Sequence, residues 1–459
     1  MGPREFDVAV VGGGPAGYAA ALASARCGAS VVLAEPELLG GTCVHWSCIP
    51  TNVLLASVHT SLEARELAFV GVLTAGDDVD LRALRDRRKS MVRVLAGGVA
   101  AALRHAGVEV LEGRATLGSP SALTVGLCDG ETVDVEARSV VVAAGARWLT
   151  PSLPGIAADR ILTADLVQAL DTVPASALVL GDGPADTAFA IEYAFLLAAL
   201  GSAVTLAVPG ELLIPALDAD LDEAVAAMLA TFGIELLRGA EVLGGQGAKA
   251  TVSHAGGEAV VAADVVVVAD RRVPSVDGIG LAAAGVEVAG GAIAVDSSCR
   301  TSSPGVFAAG DVAGGAMLTA AALHAGDVAG TVAAGGSART RLEAVPHVLH
   351  TLPLVGWIGQ GEDAARRSAA DVAVAIVDLA TNARAVAAGG RDGYLKVVAD
   401  AATGEILGVH VVGPAADEIL AVAGTAMQAE LTVADVAAIV PWHPSLTESL
   451  VAAARLLTH

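Results

Sequence analysis

The sequence predicts an α/β protein in which two Rossmann-like dinucleotide-binding domains precede a C-terminal α+β domain. Two segments share the order strand, glycine turn, alanine-rich helix and second strand: FDVAVVGGGPAGYAAALASARCGASVVLAE and SALVLGDGPADTAFAIEYAFLLAALGSAVTLAV. The C-terminal part has a different character. There, DVAVAIVDL, GYLKVVAD and EILGVHVVG read as antiparallel strands, and helices are expected over 415–429 and 432–440.

Composition fits this fold class. Of the 459 residues, 54% are hydrophobic but only 3% are aromatic, which suits Ala-, Val- and Leu-rich helices packed on buried parallel strands. The length accommodates about three domains. Segments rich in turn residues (RWLTPSLPG, RRVPSVDG and AAGGSARTR) place the boundaries. The first domain then comprises 1–150 and 273–338, the second 151–272, and the third 339–459.

Charge and hydropathy narrow the class of protein. The net charge of −23 repels phosphate backbones and anionic membranes, so neither nucleic acid nor a membrane is an expected partner. The N-terminal segment lacks the layout of a signal peptide. The stretch AFAIEYAFLLAALGSAVTLAV is long enough to span a membrane, but Glu192 and Gly201 within it favour a buried helix, turn and strand. Five cysteines in so long a chain do not indicate a secreted disulfide framework, and we expect a cytoplasmic protein.

A nucleotide site is predicted at the first glycine turn. Gly12, Gly14 and Gly17 form G-x-G-x-x-G directly after a strand and at the start of a helix, where backbone N–H groups can approach a pyrophosphate. Glu35 ends the second strand, where a carboxylate can bind ribose hydroxyls. The alternative is a tight structural turn, because a glycine pattern alone is weak evidence.

A distant segment, TSSPGVFAAGDVAGG, carries a second signal. It brings Gly310 and Asp311 to a turn at the end of a short apolar strand, where Asp311 could hold a ribityl chain or a water at a pyrophosphate. Taken alone, such a pair more often marks a simple turn. A third segment, VVVAAGARW, places Gly145 after another apolar strand.

Two cysteines follow the first βαβ unit in the stretch GGTCVHWSCIPTN. Cys43 and Cys48 are spaced so that a helix start can bring their sulfurs within bonding distance, and the helix dipole lowers a thiol pKa there. The alternatives are two buried free cysteines, or a metal site that would add His45, although no second ligand pair is evident nearby. A redox pair is favoured because the stretch lies beside the nucleotide fingerprint.

With these motifs the chain resembles the class I pyridine nucleotide–disulfide oxidoreductases, the group of dihydrolipoamide dehydrogenase, glutathione reductase and mercuric reductase. Their redox segment reads G-G-T-C-x-N-x-G-C-[IV]-P-[ST]-K, and their C-terminal signature H-P-[ST]-x-x-E is matched by HPSLTE. The agreeing residues of the redox segment are Gly40, Gly41, Thr42, Cys43, Cys48, Ile49, Pro50 and Thr51.

The resemblance implies roles for the catalytic residues. Cys43 would be the interchange thiol that faces the substrate, and Cys48 the thiolate stacked against the flavin. His443 would carry the proton, oriented by Glu448, and this pair would come from the partner subunit of a homodimer built on the C-terminal dimerisation domain. The cofactor would be FAD, and no metal is expected. The FAD-binding residues would be Gly12, Gly14, Pro15, Ala16, Gly17, Glu35, Gly41, Thr42, Asn52, Gly145, Gly310 and Asp311.

The redox segment departs from the family pattern at three positions, His45, Ser47 and Asn52. Asn52 replaces a lysine that, in the family, lies beside the flavin; it can donate a hydrogen bond but carries no charge. Trp46 either shapes a substrate pocket or fills a gap in the core.

The second glycine turn departs further. Asp186 replaces its third glycine, Val208 stands where Glu35 stands in the first unit, and about four extra residues separate the turn from the next strand. Arg272 matches a family arginine. The two replacements predict dissociation constants of roughly millimolar or worse for NADH and NADPH.

Three hypotheses follow for the function. In the first, a small dithiol reduces the Cys43–Cys48 disulfide of a homodimeric FAD enzyme, and the flavin passes the electrons to oxygen or another acceptor without NAD(P)H. In the second, the chain is an NAD(P)H-dependent disulfide reductase of the dihydrolipoamide dehydrogenase type. In the third, it is a flavin-binding protein without turnover. The weakened second turn argues against the second hypothesis, and the retained Cys, His and Glu set against the third.

Overall fold

The first domain begins with a glycine turn between two buried parallel strands in the computed structural model, which describes residues 2–72, 79–181, 188–214, 217–368, 371–389 and 393–458. The last four residues of the first strand are buried, as expected where helices cover both faces of a sheet. The elements up to residue 148 are β1 (Arg4–Val11), α1 (Pro15–Arg26), β2 (Val31–Glu35), α2 (Gly41–His45), α3 (Cys48–Phe69), α4 (Leu81–His105), β3 (Glu109–Leu117), β4 (Ala122–Leu127), β5 (Thr132–Val142) and β6 (Ala146–Trp148).

The second domain repeats this plan. Its elements are β7 (Ile161–Leu162), α5 (Ala164–Val167), β8 (Ser176–Leu180), α6 (Ala188–Ala199), β9 (Ala203–Val208), α7 (Ala219–Thr231), β10 (Glu235–Arg238), β11 (Glu241–Gln246), β12 (Lys249–His254), β13 (Gly257–Ala262), β14 (Val265–Val268) and β15 (Arg272–Pro274). The parallel sheet has the order β10–β9–β8–β14–β7, and β11, β12 and β13 form a separate antiparallel sheet. The predicted buried helix, turn and strand are α6 and β9, and among the described residues no helix is long and apolar enough to cross a membrane.

The chain then returns to the first domain through β16 (Val288–Ala289), β17 (Ala292–Ile293), β18 (Val306–Ala308) and α8 (Thr319–Ala333). Because β18 pairs with β5, the parallel strands of the first sheet have the order β3–β2–β1–β5–β18, which matches the order in the second domain. The far ends of β3 and β5 pair with β4 as an antiparallel extension. The two predicted Rossmann-like units are thus confirmed, while the exact domain boundaries stay a prediction.

Glycines on α8 let it lie directly against α1. A Cβ added to Gly326 would lie 2.2 Å from the carbonyl oxygen of Ala16, and one added to Gly330 would lie 2.1 Å from that of Ala20. Contacts this short exclude every residue except glycine at both positions. Both helices begin at the same end of the sheet, the carboxyl end of its parallel strands, where α/β folds bind ligands.

The C-terminal domain is an antiparallel sheet with the order β19–β20–β23–β22–β21, covered by helices. The predicted strands are β21, β22 and β23, and the predicted helices are α11 and α12, although α12 ends at Ala437 rather than 440, since Pro441 disfavours helix before it. The elements are β19 (His347–Leu349), β20 (Leu354–Gly359), α9 (Glu362–Ser368), β21 (Val372–Asp378), α10 (Ala383–Ala387), β22 (Tyr394–Asp400), β23 (Ile406–Gly413), α11 (Ala416–Gln428), α12 (Val433–Ala437) and α13 (Thr447–Leu456).

A buried ion cluster joins this domain to the second one. Lys396 of β22 is 3% exposed at its side chain, and its Nζ lies 2.9 Å from Asp218 Oδ2, 3.1 Å from Asp220 Oδ2 and 2.9 Å from Glu362 Oε2. The two aspartates belong to the start of α7. Apolar residues of β20 and β23, among them Trp357, also pack into the core of the second domain. The two domains therefore share both a core and a charge cluster.

Candidate active site

The first glycine turn has the shape of a phosphate cradle. Gly12 has a φ of 105°, and a Cβ added to it would lie 2.3 Å from the carbonyl oxygen of Ala143. A Cβ at Gly17 would lie 1.9 Å from the carbonyl oxygen of Gly12, so only glycine fits either position. At Gly14, by contrast, the nearest atom would be 3.9 Å away. This residue precedes the first residue of α1, Pro15, and leaves the N-terminus of the helix accessible to an anion.

Glu35 closes the same site from the end of β2. Its carboxylate accepts hydrogen bonds from the backbone N–H groups of Gly13 (2.6 Å) and Glu37 (2.9 Å). These bonds hold the side chain at the rim of the turn. A carboxylate fixed there can accept hydrogen bonds from ribose hydroxyls, as the sequence predicts.

A cleft of about 530 Å³ extends from this turn to the two cysteines. Its wall also includes Trp46, Arg272 and Thr319. Most of the predicted site residues line it, namely Gly12, Gly14, Pro15, Ala16, Glu35, Gly41, Thr42, Cys43, Cys48, Gly145, Gly310 and Asp311.

Two predicted cofactor-binding residues do not line the cleft. Gly17 lies beneath the turn, where it allows close packing of the backbone. Asn52 lies one turn after Cys48 on α3, and its Nδ2 donates a hydrogen bond to the carbonyl oxygen of Cys48 at 2.9 Å. One N–H of the amide thus pairs with the backbone of its own helix.

Asp311 lines the same cleft and is held in place by Arg272. Arg272 Nη1 lies 3.0 Å from Asp311 Oδ2, and Nη2 donates to the carbonyl oxygen of Met317 at 2.9 Å. The guanidinium lies over the rings of Trp148 and Phe189. Burial raises the pKa of Asp311, and Arg272 opposes this shift. The glycine turn, Glu35 and the Asp311 wall together fit the pyrophosphate and sugar groups of FAD.

The cysteines lie where the redox segment folds back on the glycine turn. A Cβ at Gly41 would lie 2.7 Å from Gly14 Cα, so the segment packs directly on the turn. Cys43 lies in α2, and Cys48 is the first residue of α3. In their reduced form the two side chains are joined by a hydrogen bond. Both cysteines line the cleft, and their role as a redox pair stays a prediction.

The two thiols differ in acidity. A hydrogen bond from Cys43 outweighs burial and lowers the pKa of Cys48 to about 6, and Thr319 and Ser47 act in the same direction. The same bond and burial raise the pKa of Cys43. The N-terminus of α3 further favours negative charge on Cys48. This arrangement provides one thiolate and one thiol that holds its proton.

Thr319 is a functional candidate that the sequence analysis missed. Its Oγ1 lies 3.1 Å from Cys48 Sγ, and it is the first residue of α8. The signal available in the sequence was its place at a helix start shortly after Asp311. Nothing in the local pattern relates it to the cysteines.

His45 and Trp46, neighbours in the redox segment, have different environments. His45 Nε2 lies 2.9 Å from the carbonyl oxygen of Leu39, so this ring nitrogen is turned to the backbone. Trp46 is 44% exposed and lines the cleft, which favours a role in a pocket over filling a gap in the core.

His443 and Glu448 form the predicted pair outside this cleft. His443 Nδ1 lies 3.0 Å from Glu448 Oε1, and the backbone N–H of Ser445 donates to Glu448 Oε2 at 2.9 Å. These contacts, with Ser445 the larger contributor, lower the pKa of Glu448. The imidazole is 72% exposed and does not line the cleft of its own chain.

The second glycine turn is only partly described. Gly183 and Asp186 lie outside the described residues. Val208 is fully buried at the end of β9, so this strand offers no carboxylate at the position of Glu35.

The fold and the cleft define a flavoprotein disulfide oxidoreductase. The chain belongs to the pyridine nucleotide-disulphide oxidoreductase family, whose model matches residues 6–326, and the dimerisation domain of that family matches residues 345–454. FAD is the cofactor of this family, and NAD(P)H is used by the homologues. The resemblance inferred from the sequence motifs is thereby confirmed.

Several relatives extend over nearly the whole chain. A dihydrolipoyl dehydrogenase of Chlorobaculum tepidum is 35% identical over 97% of this chain and 96% of its own, and one of Bacillus subtilis is 31% identical with the same coverage. Among solved structures, LpdA of Mycobacterium tuberculosis has a TM-score of 0.88 at 28% identity and 99% coverage of both chains. The Cu(II) complex of the HOCl-induced flavoprotein disulfide reductase RclA of Escherichia coli has a TM-score of 0.85 at 25% identity, covering 99% of this chain and 100% of its own.

Proposed function

We propose that the chain interconverts a small dithiol and its disulfide through Cys43 and Cys48, with a nicotinamide cofactor as the second electron carrier, in the manner of a dihydrolipoyl dehydrogenase. The observation that carries this proposal is the acidity difference between the two thiols at the wall of the nucleotide cleft. Relatives named dihydrolipoyl dehydrogenase favour a nicotinamide partner over the nicotinamide-independent hypothesis. Nothing in these relatives supports oxygen as the acceptor.

The thiol chemistry balances as follows. With the pair oxidised, a substrate thiolate attacks Cys43 Sγ, the Cys43–Cys48 bond breaks, and Cys48 leaves as the thiolate. The second substrate thiol then attacks the mixed disulfide, which releases the substrate disulfide and leaves Cys43 reduced. Two electrons have passed from substrate to enzyme. Bound FAD would link this dithiol to the nicotinamide by two-electron transfer, held by the glycine turn, Glu35 and Asp311.

The substrate protons require a base near Cys43, and we assign this role to His443 of a second copy of the chain. His443 is exposed and oriented by Glu448. Its neighbours Val440, 93% exposed, and Trp442 form an apolar strip in the region that matches the dimerisation domain. A second copy covering this strip would complete the site.

Anaerobic flavin spectra test the proposal. NADH or NADPH should bleach the visible flavin band, and dihydrolipoamide should reduce the pair and the flavin from the other side. The matched control is Cys43→Ser/Cys48→Ser, which should lose the response to dihydrolipoamide and keep the response to the nicotinamide. A wild-type protein that ignores both nicotinamides would contradict the proposal.

A second candidate is the dithiol oxidase that does not use NAD(P)H, and Val208 is the observation that favours it. Without a carboxylate at the end of β9, adenosine ribose loses a hydrogen-bond partner, at a cost of roughly 1.5–3 kcal/mol. Bleaching by dihydrolipoamide alone would select this candidate. Calorimetry separates the two directly, because only the first requires the nicotinamide to bind.

A further inference from the structure

A second group of ionisable side chains lies against α3, the helix that begins with Cys48, and does not line the cleft. Glu192 of α6 is 5% exposed, and its Oε1 accepts hydrogen bonds from the backbone N–H of His350 at 2.9 Å and from Nδ1–H of the same residue at 2.8 Å. A carboxylate this deeply buried is costly unless it is paired and hydrogen-bonded. The proposed thiol chemistry assigns no role to this pair.

The pair is fixed against α3 at two points. Tyr193, next to Glu192 on α6, has its hydroxyl 2.9 Å from Thr51 Oγ1 in the first turn of α3. His59, further along the same helix, has Nε2 at 3.1 Å from the carbonyl oxygen of His350. Glu192 and His350 therefore lie beside the helix that begins with Cys48.

The charge of Glu192 acts against the thiolate. Although the hydrogen bond from Cys43 dominates the pKa of Cys48, the Glu192 carboxylate works in the opposite direction and raises it. Cys48 and His350 also interact electrostatically, and by reciprocity a protonated His350 favours the thiolate. The carboxylate and the imidazolium thus have opposite effects on the same sulfur.

The surroundings of His350 favour its protonated form. Burial alone would lower its pKa, but the hydrogen bond and charge of Glu192 outweigh burial and raise it, and Asp417 and Cys48 add to this effect. His59 is a further ionisable group that faces it. Burial lowers the pKa of His59 despite nearby Glu63, so burial disfavours a positive charge on this ring.

We propose that His350 is a positioning residue for the redox centre, which, as an imidazolium, neutralises the buried carboxylate of Glu192 and so protects the thiolate of Cys48 from it. The inference rests on the proposed role of Cys48 as the thiolate of the pair. The net charge of the Glu192–His350 pair, rather than either side chain alone, then determines how strongly the pair affects the thiolate of Cys48.

The test is a pH titration of Cys48 alkylation by iodoacetamide, read by mass, in reduced FAD-loaded protein carrying Cys43→Ser throughout. Adding His350→Gln leaves an unpaired negative charge and should raise the half-maximal pH by about 0.5 to 1. Glu192→Gln should change it little, because the imidazole loses its charge together with its partner. The double variant, Glu192→Gln with His350→Gln, should return the half-maximal pH to the background value.

The matched control is His59→Gln. It removes an imidazole from the same cluster but no charge, and Gln can still donate to the carbonyl oxygen of His350, so the titration should not move. An upward shift in the double variant as large as that in His350→Gln would overturn the inference, since it would indicate a structural effect. An unshifted His350→Gln protein that retains its FAD and near-ultraviolet dichroism would do the same.

If His350→Gln does not fold, His350→Lys and the double variant replace it. Both keep the region neutral, so both should titrate with the background, and an upward shift of about half a pH unit in either overturns the inference. The proposed function fails separately: it fails if Cys48 titrates near 9 in the reduced wild-type protein, whereas a wild-type titration near 6, together with a background protein that does not respond to His350→Gln, defeats only the inference.

Discussion

The sulfur of Cys48 lies 3.1 Å from the hydroxyl oxygen of Thr319, although 271 residues separate the two in the sequence. The contact joins the start of α3 to the start of α8 at the wall of the cleft. A hydroxyl that donates to a sulfur favours its thiolate form, and this contact lowers the pKa of Cys48. The same geometry gives the first prediction.

Replacing Thr319 by valine should raise the pKa of Cys48 by about 0.5 to 1, because an isosteric methyl cannot donate and a hydrogen bond to a charged group is worth roughly 1 kcal/mol or more. The pH dependence of Cys48 alkylation measures the change. Thr319→Ser keeps the hydroxyl and should behave as the wild type. If the valine and serine variants give the same pH dependence, the hydroxyl of Thr319 does not influence the pKa of Cys48.

Alkylation of the reduced wild-type protein should itself follow the thiolate of Cys48. Since the pKa of Cys48 is lowered to about 6, the rate should be half-maximal near pH 6, rise with pH through that value and stay constant above it. Cys43, whose pKa is raised, should react slowly at neutral pH. In Cys43→Ala the donor is lost, so the half-maximal pH should move up towards the ordinary thiol value. A wild-type profile centred near 9 contradicts this prediction.

Activity should depend on residues from two chains. Mixing His443→Ala protein with Cys43→Ala protein should restore about one quarter of the wild-type rate, because half of the dimers are mixed and each mixed dimer has one intact site. Dithiol oxidation after subunit exchange is the measurement. Mixing His443→Ala with Glu448→Ala protein is the control, since both lesions fall on the same side of each site and no intact site forms. Exchange without recovery would place His443 outside the reaction.

The first glycine turn should not tolerate a side chain. Gly12→Ala introduces a Cβ 2.3 Å from the carbonyl oxygen of Ala143 at a positive φ, so the flavin content of purified protein should fall below about one tenth of wild type. The ratio of visible to ultraviolet absorbance measures it. Gly98→Ala in α4 is the control, because nothing lies within 4 Å of the added Cβ. It should keep full flavin content and gain up to about 1 kcal/mol in stability.

The ion cluster between the second and third domains should contribute strongly to stability. Lys396→Met leaves the carboxylate of Asp218 without its cation, while Glu362 keeps its ion pair with Arg366, and removing one partner of a buried ion pair costs about 3–5 kcal/mol. The melting temperature should fall accordingly. Lys249→Met, at the exposed start of β12, is the control and should change the melting temperature by no more than about a degree. A stable Lys396→Met protein would show that the carboxylates find other compensation.

The sequence predicted the fold where local patterns carry it. The glycine turns define two βαβ units, and the alternating strands define the C-terminal sheet. The antiparallel extension by β4 and the helix α13 were not predicted, because a strand of six residues and a late amphipathic helix give weak signals.

The site was predictable only where its residues follow one another along the chain. Cys43 and Cys48 lie in one short sequence segment that carries the family motif, and Gly12 shares a turn with Gly14. Thr319 and His350 come close to α3 only through tertiary packing, which no spacing in the sequence predicts. The place of Asn52 at the cofactor stays a prediction, because its amide donates one hydrogen bond to the backbone of its own helix.

The glycine contact between α1 and α8 has a consequence for how this enzyme can be altered. Gly330 lies about 16 Å along the helix axis from Thr319, yet a methyl group there would push the whole of α8 away from Ala20. Because a helix moves as a stiff rod, the displacement would reach the hydroxyl beside Cys48. Substitutions at Gly330 would thus alter the contact between Thr319 and Cys48 although they touch neither residue. A redesign limited to the residues of the cleft wall would miss this position.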